Sequence, residues 1–145
     1  MLFFLKVTTV DGRTSSCFEV GHVSNCVAVT PESYGTSREN GFNSLMMVGG
    51  EFITRYRPEC QSVERTEPKS EKLISDQVWK MKYTSNGSLL YVACEDGSVR
   101  RYRRYPDGHH KFLGEVYAHK GEIHDMDISP YDEVSFYVLF CNFSN

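Results

Sequence analysis

Residues 77–104, QVWKMKYTSNGSLLYVACEDGSVRRYRR, decide the fold. They hold three β-prone runs, at 78–84, 89–94 and 98–105 with the last ending one residue beyond the stretch, separated by Asn86-Gly87 and Asp96-Gly97. Branched and aromatic side chains suit a pleated, half-buried surface. Asn-Gly and Asp-Gly supply the positive-φ residues that tight hairpins require. Met81 and Tyr83 lie two apart and so share one strand face. The stretch reads as an antiparallel meander. Pro106-Asp107-Gly108 and a fourth run at 112–117 extend it, so strands near 77–84, 88–95, 98–105 and 111–118 are expected in one sheet.

The same grammar continues on both sides. β-prone runs at 2–10, 23–29, 44–48, 52–57 and 123–129 each stop at a Gly, Pro or Asp-Gly signal. Helical spacing of apolar residues with caps is absent, so an antiparallel all-β chain with little helix is expected. Two polar stretches, 31–43 and 64–72, read as surface loops. At 145 residues the chain is one domain or a piece of one. Its 40% hydrophobic and 24% charged residues are globular values, which excludes a wholly disordered or collagen-like chain.

Three strings repeat: VAVTP (27–31), MKYTS (81–85) and MDISP (126–130). Each places two apolar residues two apart, then a hydroxyl residue. Val27, Met81 and Met126 are 54 and 45 residues apart, a spacing that marks repeated supersecondary units.

With these residues in view, 77–104 resembles one blade of the WD-repeat family. The matching elements are Met81, Tyr83, Ser85-Asn86-Gly87, Tyr91 to Cys94, Asp96-Gly97-Ser98-Val99 and Tyr102, with Tyr102 where the family usually has Trp. Residues 118–133 resemble the opening of a following blade, with His119 at the family's Gly-His position. A looser likeness runs from Gly21-His22 to Tyr56 and Arg57. The family often joins His, Ser or Thr, Asp and Trp by hydrogen bonds. Here the central blade has Leu73-Ile74-Ser75 where the His is expected, and the first has Gly49-Gly50-Glu51 where the Asp is expected. The resemblance implies antiparallel four-stranded blades of an incomplete β-propeller over 1–145. Blade-like segments fall at about 1–20 in part, 21–68, 74–118 and 119–145 in part. A blade takes roughly 40–45 residues and propellers close with typically four to eight, so a fragment or truncated form is expected. His22, Asp96, Gly97, Tyr102 and His119 would be the structural blade signature.

Net charge is −3, against a protein that is basic throughout. Five cysteines at irregular spacing form no CxxC pair, so reduced thiols inside the cell, cytoplasmic or nuclear, are expected rather than a disulfide framework or zinc module. The start, MLFFLKVTTV, lacks a basic region ahead of its short apolar run and reads as a strand, so the protein is not expected to be secreted. With no apolar run near 18 residues, no membrane helix is expected.

The run Val99 to Tyr105 carries four arginines and two tyrosines. Alternation puts Arg101 and Arg103 on one face and Arg100, Tyr102 and Arg104 on the other. Arginines beside aromatic rings suit phosphate or RNA contact; the plainer reading pairs them with Glu95, Asp96 and Glu115. Tyr102 is expected to be buried, and Arg104, near the strand end, to be an exposed surface charge. Trp79 reads as packing or a partner contact. His109-His110 reads as an exposed hairpin turn. His119, His124, Asp125 and Asp127 form no convergent metal or catalytic set, since strand neighbours face opposite ways. The expectation is a non-catalytic scaffold for protein partners in a multi-subunit assembly, without enzyme activity, cofactor, metal, membrane or small-molecule substrate. Arg100, Arg101, Arg103, Arg104 and Trp79 are its candidate partner-binding residues. The alternative is an RNA- or phosphate-binding module using strand 99–105.

Overall fold

The computed structural model describes residues 4–8, 11–12, 15–31, 46–57, 62–65, 77–106, 109–129 and 136–139. Among them are twelve strands and no helix: β1 Phe4–Thr8, β2 Ser15–Glu19, β3 Ser24–Val29, β4 Met46–Gly50, β5 Ile53–Arg57, β6 Ser62–Arg65, β7 Val78–Tyr83, β8 Leu89–Cys94, β9 Ser98–Arg104, β10 His110–Tyr117, β11 Asp125–Ile128 and β12 Phe136–Leu139. They form two four-stranded antiparallel sheets, ordered β3-β4-β5-β6 and β10-β9-β8-β7, and two-stranded sheets β1-β2 and β11-β12. These are antiparallel blades of an incomplete β-propeller. The meander expected over 77–118 is one of the four-stranded sheets. The other expected runs correspond to strands with ends shifted by a few residues. Strands β2, β6 and β12 were not anticipated, and β6 begins before the expected loop 64–72 and takes its first two residues. The features expected within 32–45, 66–76, 107–108, 130–135 and 140–145 lie outside the described residues.

Local chemistry explains the hairpins. The Asn86 carboxamide oxygen accepts hydrogen bonds from the Ser88 N–H (2.9 Å) and hydroxyl (2.7 Å), while Gly87 takes φ +69° and donates to the Thr84 carbonyl (2.9 Å). Asp96 repeats the device. Its carboxylate accepts from the Ser98 N–H (2.8 Å) and hydroxyl, and Gly97, at φ +83°, donates to the Cys94 carbonyl (3.1 Å). A short side-chain acceptor two residues ahead of a serine closes the turn from within, and glycine takes the left-handed position without strain.

The three repeated strings fall on β3, β7 and β11, each the first strand of its sheet, and β7 packs against both others. The sheet β3–β6 meets β7–β10 through a buried cluster including Ala28, Met47, Ile53, Val78, Met81, Leu90 and Val92. The opposite face of β7–β10 packs through Ala93 and Val99 on Ile123 and Met126. The asparagine at the start of β3 adds a polar seam: Asn25 donates to the Gln77 carboxamide and the Val78 carbonyl, both at 3.1 Å.

Strand β9 alternates as expected, with Arg101 and Arg103 exposed and Arg100, Tyr102 and Arg104 buried. Tyr102 is 8% exposed, opposite Leu90 and Phe112 in the ladder, with its ring centroid 5.6 Å from that of Phe112. Arg104 corrects the expectation of a surface charge: it is 1% exposed, because its position shares the face of Tyr102 that packs toward the neighbouring sheet. Truncating a core aromatic costs about 3 kcal/mol or more, whereas an exposed substitution stays within about 0.5 kcal/mol. Urea melts should therefore show a large loss for Tyr102→Ala and almost none for Arg103→Ala, with Arg104→Ala grouping with Tyr102→Ala. Equal small losses for all three would contradict this packing.

Candidate partner-binding surface

Three of the five signature residues come together around the β8–β9 turn. The Gly97 carbonyl accepts the N–H groups of Ala118 (3.0 Å) and His119 (3.2 Å), which ties this turn to the connection between β10 and β11. His119 is held in turn, its Nδ1 accepting the Gly121 N–H at 3.0 Å. A Cβ on Gly97 would lie 2.2 Å from the His119 carbonyl oxygen. Asp96 also faces Arg100, at 3.7 Å, whose Nε donates to Glu115 at 3.1 Å. Arg100 is thus a buried, acid-paired residue, as the plainer reading of the arginine run had it, and offers no free charge at the surface. Tyr102 sits in the core described above. His22 lies two residues ahead of β3, the first strand of the other four-stranded sheet, and is buried. Its Nδ1–H donates to the Val23 carbonyl (2.7 Å), which leaves Nε2 to accept the Thr54 hydroxyl (2.8 Å), and Phe52 packs edge-on against the ring. These contacts join loops to sheets.

Arg101 and Arg103 differ. They lie on the exposed face of β9, with Tyr91 opposite Arg101 on β8 and Lys111 opposite Arg103 on β10. Lys111 is exposed as well. Trp79 is half-buried on β7 with its ring edge-on to His124, centroids 5.2 Å apart.

Two ion pairs unnoticed in the sequence join adjacent first strands: Lys80 to Asp125 at 2.8 Å, and Lys82 to Asp127. The hydrogen bond from Lys80 holds the Asp125 carboxyl below the usual range, and the bond from Lys82 does the same for Asp127. The signal was available, since the aligned repeats read Lys-Met-Lys and Asp-Met-Asp. In the core, burial pushes the Cys26 thiol up to about 12 and raises the Tyr83 phenol, despite the opposing fields of Arg104 and Arg55. The Tyr83 hydroxyl and His110 Nε2 share a hydrogen bond at 2.8 Å.

No family model matches the chain, and no curated protein matches it in sequence. Among solved structures it is similar to a protein from Lactobacillus plantarum, at 12% identity and TM-score 0.62, over 97% of this chain and 42% of that one. It also matches a chain of a crystallised mitotic checkpoint complex at 17% identity and TM-score 0.49, over 71% of this chain and 27% of that one. The chain spans less than half the length of either. The first match supports the fold at the level of an all-β, propeller-like arrangement. No helix among the described residues is long and apolar enough to cross a membrane.

Gly97→Ala should cost more than the roughly 1–3 kcal/mol of a strained backbone position, because its methyl would also strike the His119 carbonyl; a urea midpoint equal to wild type would contradict this contact. The two lysine–aspartate pairs carry an acid dependence. Both folded-state carboxyl pKa values are depressed, so their stabilisation is complete above the unfolded carboxylate value near 3.9 and is lost as pH falls through the folded values. Between pH 5 and pH 3 the urea midpoint of wild type should fall more than that of an Asp125→Asn, Asp127→Asn double variant. Equal falls would show that the pairs contribute nothing to folding.

Proposed function

We propose that this chain is part of a WD-repeat-like propeller and serves as a non-catalytic, intracellular scaffold for protein partners. The observation that carries the reading is β10. It is an edge strand of its sheet, and it exposes Leu113 (37%), Val116 (53%) and Tyr117 (69%). An edge strand presents unpaired backbone groups, and large apolar side chains gathered on it mark an interaction site. The resemblance of 77–104 and 118–133 to WD repeats supports the same reading, since such proteins serve as platforms in assemblies. A photo-crosslinking residue placed at Val116 or Tyr117 in cells should give discrete protein adducts, while one at the exposed Lys6 of β1 should not. Absence of adducts at all three positions would overturn the proposal.

A second reading, RNA or phosphate binding, draws on the exposed Arg101 and Arg103 with Lys111 and Tyr91 beside them. It expects saturable binding of an oligouridine that weakens with salt and is lost in Arg101→Glu.

A further inference from the structure

Deepening the protein-binding reading, and resting on it, we propose that the outer half of one face of the β7–β10 sheet docks an extended acidic protein segment with carboxylates at every second residue. The ladder places Lys82, Tyr91 and Arg101 in one cross-strand row and Leu89, Arg103 and Lys111 in the next. Arg101, Arg103 and Lys111 are exposed. Among the described residues no side chain of the three makes an ion pair or hydrogen bond, in contrast to that of Arg100 on the opposite face. Arg103 and Lys111 stand directly opposite each other, an arrangement of like charges that disfavours the strand pair by itself. An anion laid across the two would relieve it.

The inner half of the sheet shows what kind of anion fits. There β11 presents Asp125 and Asp127, alternate residues of one strand, to Lys80 and Lys82, alternate residues of β7. Met126 between them is buried in the cluster with Ala93 and Val99. On β9 the cationic half of this pattern recurs as Arg101 and Arg103 at the same two-residue spacing, and Val116, opposite the buried Val99, leaves an exposed apolar position beside them. A strand alternating acidic and apolar residues would meet both features, and each guanidinium can grip a carboxylate through two parallel bonds.

Single-stranded RNA fits less well, because it needs free aromatic platforms as well as charge. Tyr102 is buried on the other face, Tyr105 is stacked on His109, and Tyr91 is half-buried against the Ile123–Met126 cluster.

The test is fluorescence anisotropy with the full chain and three labelled probes: a ten-residue peptide alternating Asp and Val, a peptide of the same composition with its five Asp contiguous, and a ten-nucleotide oligouridine. The alternating peptide should saturate and bind about 10-fold or more tighter than the block peptide. Arg101→Glu and Arg103→Glu should each weaken it about 10-fold or more, while Arg103→Lys, which keeps the charge but not the two parallel bonds, should weaken it less than Arg103→Glu, and a Lys6→Glu control should change nothing. Both arginines are exposed, so the urea midpoints of the variants should stay at the wild-type value and show that the fold is intact. Absent saturation, insensitivity to Arg101 and Arg103, or equal binding of the block peptide would overturn the site; with β10 protein adducts still present, the scaffold reading would survive that failure. Oligouridine binding as tightly as the alternating peptide would overturn the site, and absence of β10 protein adducts as well would remove the scaffold reading with it.

Discussion

The two four-stranded sheets meet at Gly49 with no room for a Cβ, and the rest of the arrangement depends on that contact. A Cβ there would lie 2.8 Å from Val78 Cγ1 and 2.9 Å from both Cys26 Sγ and Met81 Cε. Those side chains belong to the first strands of both sheets. The missing methyl therefore lets β7 settle against β3 and β4, with Val78, Leu90 and Val92 at 0–1% exposure. Full burial of such a side chain is worth about 1.5–3 kcal/mol, so this cluster is the largest apolar contribution the described residues show. The position of β7 then sets everything after it: the meander to β10, the β8–β9 turn, and the loop through His119 that the turn carries on its carbonyl.

Strand β9 shows how one alternating run can serve two ends. Burying a guanidinium is costly unless acids or hydrogen bonds meet it. Arg100 has Glu115 and Asp96 within reach, because the cross-strand register puts Glu115 directly opposite and the Asp96 turn lies four residues back. Arg104 lies beside Tyr83, whose phenol feels its field. The arginines on the other face have no such company, and the strand thus separates structural from available charge with a period of two. A tally of four arginines in a row does not reveal this division; the pleat does.

How much was legible follows from how local each cause is. The hairpins at Asn86-Gly87-Ser88 and Asp96-Gly97-Ser98 were readable because the turn residues satisfy themselves. The alternation of β9 was readable because it is a property of any strand. The burial of Arg104 was not, because it depends on a second sheet about fifty residues away in sequence. The Lys80–Asp125 and Lys82–Asp127 pairs lie between these cases: the repeat alignment set basic residues against acidic ones, but their meeting required first strands of successive sheets to be neighbours. Strands β2, β6 and β12 were missed because their sequences, SSCFE, SVER and FYVL, lack the sustained apolar–polar alternation that identified β9.

The same difference between pattern and neighbour governs the repeats themselves. Val27 and Val29 occupy the positions of Met81 and Tyr83, yet they are 44% and 55% exposed while the latter are 3% and 6% exposed. The strand chemistry is equivalent in both; what differs is what lies against it. Met81 and Tyr83 face the sheet β3–β6, whose Ala28, Met47 and Ile53 fill the interface. A repeated unit in a propeller-like array therefore carries its face chemistry before any neighbour covers it, and the neighbour decides whether that face becomes core or surface. The cationic face of β9 obeys the same rule. Lys80 and Lys82 became structural when β11 brought two aspartates, and Arg101, Arg103 and Lys111, offering the same kind of charge on the same sheet, remain surface because no acidic strand among the described residues reaches them.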